Sequence, residues 1–335
     1  MVTLKDLATA CGVSTATVSR ALNNQSDVSP ATAERIRRIA TEMGYFPNAA
    51  ARALKTNRSY NIGVLYENQM DHEYFSMIID TIRHFAELRG YDITFLSKGV
   101  GADPMNYYDH AKYRGLDGVI IVQGDFENPG IVKLAQSGFP CVVLDYPYEG
   151  CDCINSDNTD GVAQIVNAAI SLGHTRIAFI HGETGGDVTG RRIEGYRKAM
   201  REHGLEIPDG YIRQGNYHEP ARCGEATKEL MSLPTPPTCI LYPDDFAALG
   251  GISQLERLDC SVPNTVSIAG YDGIRLASML RPQLTTWCQD FDSIGQLAVS
   301  LITNAIENPG DHIPSTHFVT GFLSEGGTLA KCPES

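Results

Sequence analysis

The feature that most constrains the fold is the alternation of short apolar runs with helical patterns, which begins at Tyr60. Short apolar runs bounded by turn residues predict buried strands, and apolar residues at i, i+3 and i+4 predict helices. In the first half of this region the predicted strands are 62–66, 93–96, 118–122 and 140–145, and the predicted helices are 74–89 and 131–137. The alternation predicts a parallel, doubly wound sheet that binds ligands beyond the carboxyl ends of its strands.

The same pattern restarts after Asn155, which indicates a second sheet of the same kind. Its predicted strands are 176–180, 239–242 and 266–270, and its predicted helices are 160–172, 192–203 and 245–258. A late helix at 290–307 is predicted to return to the first half. Two similar halves joined in this way enclose a cleft between them.

Charge is distributed unevenly along the chain. The first 58 of 335 residues carry eight Lys and Arg against four Asp and Glu, a net charge of +4. The whole chain has a formal net charge of −13, so the remainder carries −17. A basic segment binds phosphate through counterion release. A small basic head on a large acidic body therefore predicts two modules with different partners.

Composition excludes several other classes of protein. With 42% hydrophobic and 20% charged residues, the chain is not largely disordered. No apolar run approaches the ~18–20 residues of a membrane helix, and no basic flank with an apolar stretch marks a secretory signal. The nine Cys are an odd number scattered through a long chain. This favours reduced thiols and a cytoplasmic protein without a membrane partner.

The basic head is predicted to contain three short helices. Thr3 and Asp6 form a capping-box pattern, and Gly12 ends the helix that follows. Ser14 can cap a second helix at 15–23, and a Ser-Pro pair at 29–30 opens a third that ends at Gly44. Two helices joined by such a turn have the dimensions of a helix-turn-helix, although a plain helical hairpin would show the same pattern.

Longer strings in the head resemble the LacI/GalR (lactose-repressor) family of transcriptional regulators. They are VTLKDLA at 2–8, GVSTATVSRALN at 12–23, MGYFPN at 43–48 and ARAL at 51–54. The resemblance continues down the body and covers nearly the whole chain. It implies a helix-turn-helix head at 1–46, a hinge helix or linker at 47–59, and an effector-binding and dimerisation body at 60–335.

The resemblance also implies which residues contact DNA. The base-reading positions of the second helix are Thr15, Ala16 and Arg20, and the positions that contact the DNA backbone are Ser14, Thr17, Ser19 and Asn23. Arg suits bidentate contact with guanine in the major groove. In the hinge, Ala51 matches a residue close to the minor groove, and Leu54 matches an apolar wedge that kinks the duplex. An ordinary linker is the alternative interpretation of this segment.

For the body, the resemblance implies a type I periplasmic-binding-protein fold. The whole chain is then an α+β multidomain protein: an all-α helix-turn-helix head and a two-lobed α/β body. We expect lobe 1 at about 60–157 and 290–322, and lobe 2 at about 158–289. In this fold the chain crossovers act as a hinge, and a small ligand lies between the lobes.

Candidate effector-binding residues lie where the predicted strands end. The family's contact positions fall on four charged residues and four aromatic ones, namely Asp145, Arg192, Asp244 and Asp272, and Tyr74, Phe75, Tyr217 and Phe291. Carboxylates accept from adjacent hydroxyls and Arg donates in a planar fork, which is the chemistry of a polyol site. Many relatives carry Asn where this chain has Asp244. Several carboxylates disfavour an anionic effector and favour a neutral sugar, with a nucleobase-type corepressor as the alternative.

Other classes of function lack support in the sequence. The Gly-rich stretch at 182–186 lacks the Lys-Ser/Thr of a phosphate loop, and the Cys-Asp-Cys stretch at 151–153 has no second pair of zinc ligands. We therefore expect no enzyme activity, cofactor or metal. A solute-binding protein for transport is a distant alternative. The expected partners are a second copy of the chain and a near-palindromic operator in double-stranded DNA, controlled by the effector.

Overall fold

The computed structural model describes residues 2–22, 27–46, 53, 56–67, 72–97, 99–100 and 103–333. It divides the chain into two compact units, Met1–Ser59 and Tyr60–Ser335. The helices of the first unit, called the head, are Leu4–Cys11, Thr15–Leu22 and Pro30–Glu42. Each of these helices contributes one fully buried apolar side chain to the head core, which contains Leu7, Val18 and Ile36.

The helix ends in the head follow from the cap residues of the sequence. The Asp6 amide donates to Thr3 Oγ1 at 3.2 Å, and the Thr3 amide donates back to Asp6 Oδ2 at 2.9 Å, which confirms the predicted capping box. Gly12 ends the first helix with φ +64°, a conformation in which a side chain would be strained. Ser29 caps the third helix, whose first residue is Pro30.

The second unit, called the body, contains two large sheets. Its strands are β1 Asn61–Tyr66, β2 Asp92–Leu96, β3 Gly99–Val100, β4 Asp103–Pro104, β5 Gly118–Gln123, β6 Cys141–Leu144, β7 Asp152–Ser156, β8 Ile177–His181, β9 Ile212–Gln214, β10 Cys239–Leu241, β11 Ser267–Asp272, β12 Thr285–Cys288, β13 Thr316–Val319 and β14 Phe322–Ser324. The first sheet has the order β13-β7-β6-β5-β1-β2 and the second β14-β12-β11-β10-β8-β9. Pairing is parallel throughout both sheets except between β12 and β14.

Helices cover both faces of each sheet, as a parallel sheet requires. Those of the first lobe are Glu73–Leu88, Tyr107–Arg114, Pro129–Gln136 and Phe291–Glu307. Those of the second lobe are Asn158–Ser171, Asp187–Glu202, Pro220–Met231, Asp245–Arg257 and Arg275–Met279. The late helix does return to the first lobe, where Ile302 is fully buried in the same core as Ile62. No helix in the described ranges is long and apolar enough to cross a bilayer.

The chain passes between the two lobes at three crossovers, after β7, β12 and β13. Hydrogen bonds tie these crossovers to one another. The Ser156 hydroxyl donates to Gln289 Oε1, and the Asp157 amide donates to the Val319 carbonyl at 3.2 Å. The first lobe ends at Val319 rather than at about 322, because β14 pairs with β12 of the second sheet.

The structure differs from the predicted elements in several places. Seven strands and three helices are absent from the prediction, namely β3, β4, β7, β9, β12, β13 and β14, and Tyr107–Arg114, Pro220–Met231 and Arg275–Met279. The helix predicted at 192–203 begins one turn earlier, at Asp187. Its first turn contains Val188, Thr189 and Gly190, which have low helix propensity, so packing rather than propensity sets this start.

Candidate functional site

A cleft of about 520 Å³ lies between the two lobes of the body. Its walls are residues near the carboxyl ends of strands or at the starts of helices, where a doubly wound sheet binds ligands. The first lobe contributes Tyr74, Gln123, Asp125, Phe126, Glu127, Asp145 and Tyr146, and the second contributes Glu183, Asp187, Thr189, Arg192, Tyr217, His218 and Asp272. Gln289, from the second crossover, also lines the cleft.

Arg192 is the most firmly held of these side chains. Its Nε donates to Asn158 Oδ1 at 2.8 Å, and Nη1 donates to the Pro243 carbonyl at 2.6 Å. The guanidinium lies 3.6 Å from the centroid of the Tyr271 ring, a cation–π contact. Gly195, three residues later, allows the helix Asp187–Glu202 to pack closely on the helix that begins at Asn158, because a Cβ there would lie 2.1 Å from the Thr159 carbonyl oxygen. The sequence therefore fixes the position of Arg192 before any ligand binds.

Two carboxylates face the cleft from left-handed backbone positions. Asp145 follows β6 with φ +61°, and Asp272 ends β11 with φ +104°. Such positions are costly for residues other than Gly and persist where the surroundings enforce them, often at binding sites. Asp272 Oδ1 accepts from Gln289 Nε2 at 2.7 Å and lies 3.8 Å from Arg192 Nη2.

Burial changes the ionisation of both carboxylates. It raises the pKa of Asp272 to about 7, and the nearby Arg192 guanidinium only partly opposes that rise. Burial raises the pKa of Asp145 as well, again against the influence of Arg192. A carboxyl group whose pKa lies near neutral pH can accept a hydrogen bond from a ligand hydroxyl when ionised and donate one when protonated.

The two lobes touch at one side of the cleft, in what we call the interlobe contact. His72 of the first lobe stacks on His218 of the second with ring centroids 3.7 Å apart and planes at 10°. The Leu276 amide of the second lobe donates to Glu73 Oε2 at 3.0 Å. Tyr66 Oη, 2.8 Å from His72 Nε2, links the His72 ring to the first sheet. These contacts hold the lobes in the arrangement described here.

The structure brings five predicted effector-binding residues to the cleft wall. Arg192, Asp272, Asp145, Tyr74 and Tyr217 all line it. The Tyr217 hydroxyl lies 3.0 Å from Thr189 Oγ1, and its ring centroid is 5.4 Å from the Arg192 guanidinium. Charged and aromatic groups therefore meet here, as the polyol interpretation predicts.

Phe75, Asp244 and Phe291, which are also predicted to contact the effector, are not among the residues that line the cleft. Phe75 and Phe291 are each 6% exposed and belong to the core of the first lobe. Phe75 packs against Tyr66 with centroids 4.0 Å apart, and Phe291 meets Tyr74 edge-on at 5.4 Å. Phe291 thus packs behind Tyr74, which lines the cleft, and Phe75 packs in the core of the first lobe.

The buried Asp244 carboxylate accepts hydrogen bonds from two backbone amides. Its Oδ1 accepts from the Ala247 amide at 2.7 Å as a helix N-cap, and its Oδ2 accepts from the His218 amide at 2.8 Å. Burial would raise the pKa of Asp244, but the hydrogen bonds and the charge of His218 outweigh it and lower the pKa. The same pairing raises the pKa of His218 despite its burial. Asp244 thus caps the helix that begins at Asp245 and positions the backbone of His218, which does line the cleft.

Several lining residues escaped the sequence analysis. Gln123 is the last residue of β5 and directly follows the predicted strand 118–122, Phe126 and Tyr146 come shortly after β5 and β6, and Gln289 follows β12. Their position just after a strand was the available signal for the first three. Gln289 could not be found in this way, because β12 itself is absent from the prediction.

In the head, the predicted base-reading residues lie together on the second helix. Thr15, Ala16 and Arg20 are exposed. The Arg20 Nη1 donates to Asp27 Oδ2 at 2.6 Å, and its Nε donates to the Ala16 carbonyl at 3.3 Å. This orients the guanidinium along the exposed side of the helix.

Three of the predicted backbone-contact residues belong to the same helix or its cap: Ser14 precedes the helix, and Thr17 and Ser19 lie within it. Ser14 caps it, because the Thr17 amide donates to Ser14 Oγ at 3.1 Å, and Ser19 is half-buried. Asn23, Ala51 and Leu54 lie outside the residues that the structure describes.

Metal chemistry finds no support in the described part of the chain. No group of three or more His, Cys, Asp or Glu side chains there could hold a metal ion. In the Cys-Asp-Cys stretch, Asp152 Oδ1 accepts from the Ser315 amide at 3.0 Å, and Asp152 Oδ2 lies 2.6 Å from His312 Nε2. This carboxylate joins β7 to the segment before β13 and is structural.

Two family models match the chain. Residues 3–48 match the family of bacterial regulatory proteins called the lacI family, and residues 166–328 match a periplasmic binding protein-like domain. Both matches agree with the helix-turn-helix of the head and the two-lobed body.

Relatives match over nearly their full length. The ribose operon repressor of Escherichia coli is 31% identical over 313 residues, which cover 92% of this chain and 94% of the relative. The transcriptional repressor PurR of Vibrio campbellii is 30% identical, covering 92% and 93%. Among solved structures, a lac repressor dimer bound to operator and the anti-inducer ONPF has a TM-score of 0.82 and 26% identity, covering 98% and 99%.

Proposed function

This chain belongs to the lacI family of bacterial regulatory proteins, and from that premise we propose that it is a transcriptional repressor whose affinity for operator DNA is set by a neutral sugar bound in the cleft. It acts as a homodimer in the cytoplasm, where its DNA lies, and it is not an enzyme. The observation that carries the choice of effector is the floor of the cleft, where Asp145, Arg192, Asp272 and Gln289 converge from both lobes.

This floor suits a ligand with adjacent hydroxyls. Asp145 and Asp272 accept hydrogen bonds, Arg192 donates, and Gln289 does both, so hydroxyl groups can be matched in either direction. A phosphate or carboxylate effector would have to enter a site in which the charge of Arg192 already faces two carboxylates, Asp272 at 3.8 Å and Asp145. An anionic ligand therefore lacks a free cation to bind.

The head supplies the DNA-reading surface of the proposal. Thr15, Ala16 and Arg20 would meet base edges in the major groove, while Ser14, Thr17, Ser19 and Asn23 would contact the sugar-phosphate backbone. Ala51 and Leu54 would contact the minor groove. Two heads of a dimer would then read the two halves of a near-palindromic operator.

Coupling between the cleft and the DNA requires that the effector bind two arrangements of the body with different affinity. The cleft is built from both lobes, so a bound sugar changes the balance between open and closed lobes. The interlobe contact and the three linked crossovers are the parts of the body that such a movement would rearrange.

The test begins with the purified full chain and an operator selected from random duplexes. A panel of neutral sugars and nucleobases is screened by thermal shift, since a ligand that binds the native state raises its melting temperature. Operator affinity is then measured with and without each ligand that stabilises the protein. We expect a sugar to stabilise the chain and to change operator affinity.

The matched variants are Asp145→Asn in the cleft and Asp292→Asn at an exposed position. Asp145→Asn should weaken sugar binding about tenfold or more, because a hydrogen bond to a charged group is lost, while Asp292→Asn behaves as wild type. Stabilisation by hypoxanthine or guanine, and by none of the sugars, would overturn the choice of effector.

A further inference from the structure

We propose that the cleft takes a neutral glycoside of at least two rings, with the second ring lying on an aromatic wall formed by Phe126 and Tyr146. The first ring would occupy the polar floor described above. This inference rests on the proposed function and narrows its effector from a sugar in general to a disaccharide or larger glycoside.

The aromatic wall is already in place without a ligand. The rings of Phe126 and Tyr146 are stacked with centroids 4.6 Å apart and planes at 9°. The centroid of the Tyr148 ring lies 4.8 Å from that of Tyr146 and 6.3 Å from that of Phe126, and the Tyr148 hydroxyl donates to the Phe126 carbonyl. The Tyr146 hydroxyl donates to Glu127 Oε1 at 3.3 Å. The two stacked rings cover each other's inner faces, so the apolar surface offered to a ligand is the outer face of one ring and the edges of both, and Tyr148 and two hydrogen bonds fix it at the edge of the cleft.

Burial divides the cleft into a floor and a mouth. On the floor, Arg192, Asp272 and Gln289 are 5%, 4% and 7% exposed. At the mouth, the Phe126 and Tyr146 rings are half-buried, and the charged residues around them are exposed, namely Asp125, Glu127, Glu183 and Asp187. A single sugar ring held by the floor would leave the aromatic wall in water, whereas a second ring would cover it.

The volume of the cleft agrees with a ligand of this size. At about 520 Å³ it falls within the range of ~300–1,000 Å³ seen for pockets that enclose drug-sized molecules. A drug-sized molecule is closer to a disaccharide than to a single sugar ring. Pockets of this kind combine apolar walls with a few polar groups that fix orientation, as the wall and the floor do here.

Charge at the mouth restricts the second ring to uncharged sugars. Among the described residues that line the cleft, Arg192 is the one Arg or Lys, and it lies on the floor. Asp187 is paired with Arg191 at 2.7 Å, while Glu127 accepts from Tyr146. A uronate on the second ring would meet these carboxylates without a free cation nearby. A neutral ring stacks its C–H face on the wall at no such cost.

The experiment compares matched saccharides by calorimetry on the full-length protein. The probes are glucose with cellobiose and maltose, galactose with lactose, ribose, and cellobiouronic acid as the charged counterpart. We expect at least one neutral disaccharide to bind about tenfold or more tighter than its constituent monosaccharides. The same disaccharide with a uronate should bind more weakly than the neutral form.

Variants then locate the second ring. Tyr146→Leu and Phe126→Leu keep apolar bulk but remove the flat ring, and each should weaken disaccharide binding about three- to tenfold without changing monosaccharide binding. Tyr146→Phe should recover most of the loss. Tyr113→Leu, at a tyrosine that is 65% exposed and outside the cleft lining, is the matched control. Two leucine variants are made in case one of them does not fold. The comparison of saccharides on the wild-type protein is independent of both variants.

Each outcome bears on a different statement. A monosaccharide that binds as tightly as every disaccharide, with no effect of either leucine variant, overturns the two-ring glycoside and leaves a sugar effector standing. Binding of hypoxanthine or guanine in the preceding screen, with no saccharide bound, overturns both. A disaccharide that binds tightly but is indifferent to both leucine variants overturns the role of the aromatic wall.

Discussion

The carboxylates at the ends of strands show which roles of a single residue can be predicted from the sequence and which cannot. Asp145 closes one predicted strand, Asp244 and Asp272 follow two others, and the same argument applies to each. Only Asp145 and Asp272 reach the cleft, because Asp244 turns to cap the helix that begins at Asp245. An Asp between a strand and a helix fits a ligand-binding residue and a helix N-cap equally well. The choice depends on the Ala247 and His218 amides, whose positions follow only from the folded chain.

Arg20 carries the first prediction at this scale. Arg20→Ala should lower affinity for the selected operator about 5- to 150-fold, because one bidentate base contact is worth about 1–3 kcal/mol. The loss should shrink on a duplex in which the contacted base pair is changed. Fluorescence anisotropy on both duplexes measures it.

Arg38→Ala is the control for Arg20. The Arg38 side chain is 70% exposed and 3.8 Å from Glu42, on the third helix of the head. Its removal should weaken binding to both duplexes equally, as expected of a phosphate contact. Equal losses on both duplexes for Arg20→Ala would contradict its base-reading role.

Asp272 carries a prediction about pH. Because burial raises its pKa to about 7, this carboxyl is partly protonated in the free protein at neutral pH. A ligand hydroxyl that donates to it stabilises the ionised form, so binding lowers its pKa and releases a proton. Sugar affinity should therefore fall as the pH drops below about 7, by at most tenfold per pH unit, and level off above that pH.

Calorimetry in two buffers of different ionisation enthalpy measures the released proton. Asp272→Asn should abolish the pH dependence. It should also leave the unliganded protein at least as stable as wild type above about pH 7, where the folded state otherwise bears the cost of a buried charge. Affinity that rises on acidification would instead mean that protonated Asp272 donates to the ligand.

Among helices and strands, those with strong apolar runs could be predicted from the sequence, and those held by polar contacts could not. Strands β1, β5 and β8 are apolar and buried, and the prediction of each is confirmed within a residue at either end. Strand β7 contains Asp152 and Asn155, which the sequence gives no reason to bury. The Ser315 amide and the His312 ring satisfy Asp152, and Asn155 donates to Cys153 Sγ within the strand, so this polar sequence is permitted as an interior strand.

The interlobe contact leads to a prediction for the helix Glu73–Leu88. Glu73→Ala removes the acceptor of the Leu276 amide, which joins the two lobes. The arrangement held by the interlobe contact should lose about 1–3 kcal/mol, and sugar affinity should fall by up to about 5- to 150-fold, because binding must then offset the cost of bringing the lobes together. Small-angle scattering should report a larger radius of gyration without ligand.

Glu87→Ala on the same helix is the control. Glu87 pairs with Arg83 within the helix at 2.7 Å and is exposed, so its removal should change affinity and size little. The role of the interlobe contact would be contradicted if the two variants behaved alike.

At the scale of the whole molecule, the separation of charge matters more than its total. The acidic body repels the DNA that the basic head attracts, which keeps non-specific binding weak and makes operator binding depend on both heads of a dimer. Light scattering should therefore give about twice the chain mass of 36.5 kDa. Cutting the operator to one half-site should lower affinity about a hundredfold or more. A monomer with unchanged affinity for the half-site would contradict this.

The three crossovers also decide when the body can fold during synthesis. The first lobe needs the helix Phe291–Glu307 for its core and β13 for its sheet, and the second lobe needs β14 and the buried Leu329. Neither lobe is a continuous stretch of chain, so the first cannot be completed before β13 has emerged from the ribosome, and the second cannot be completed before β14 and Leu329 have emerged. The head depends on no such distant segment. We therefore expect the DNA-reading part to fold early in translation and the sensing part only once these late segments have emerged, so a chain terminated before them would carry a folded head without a folded sensor.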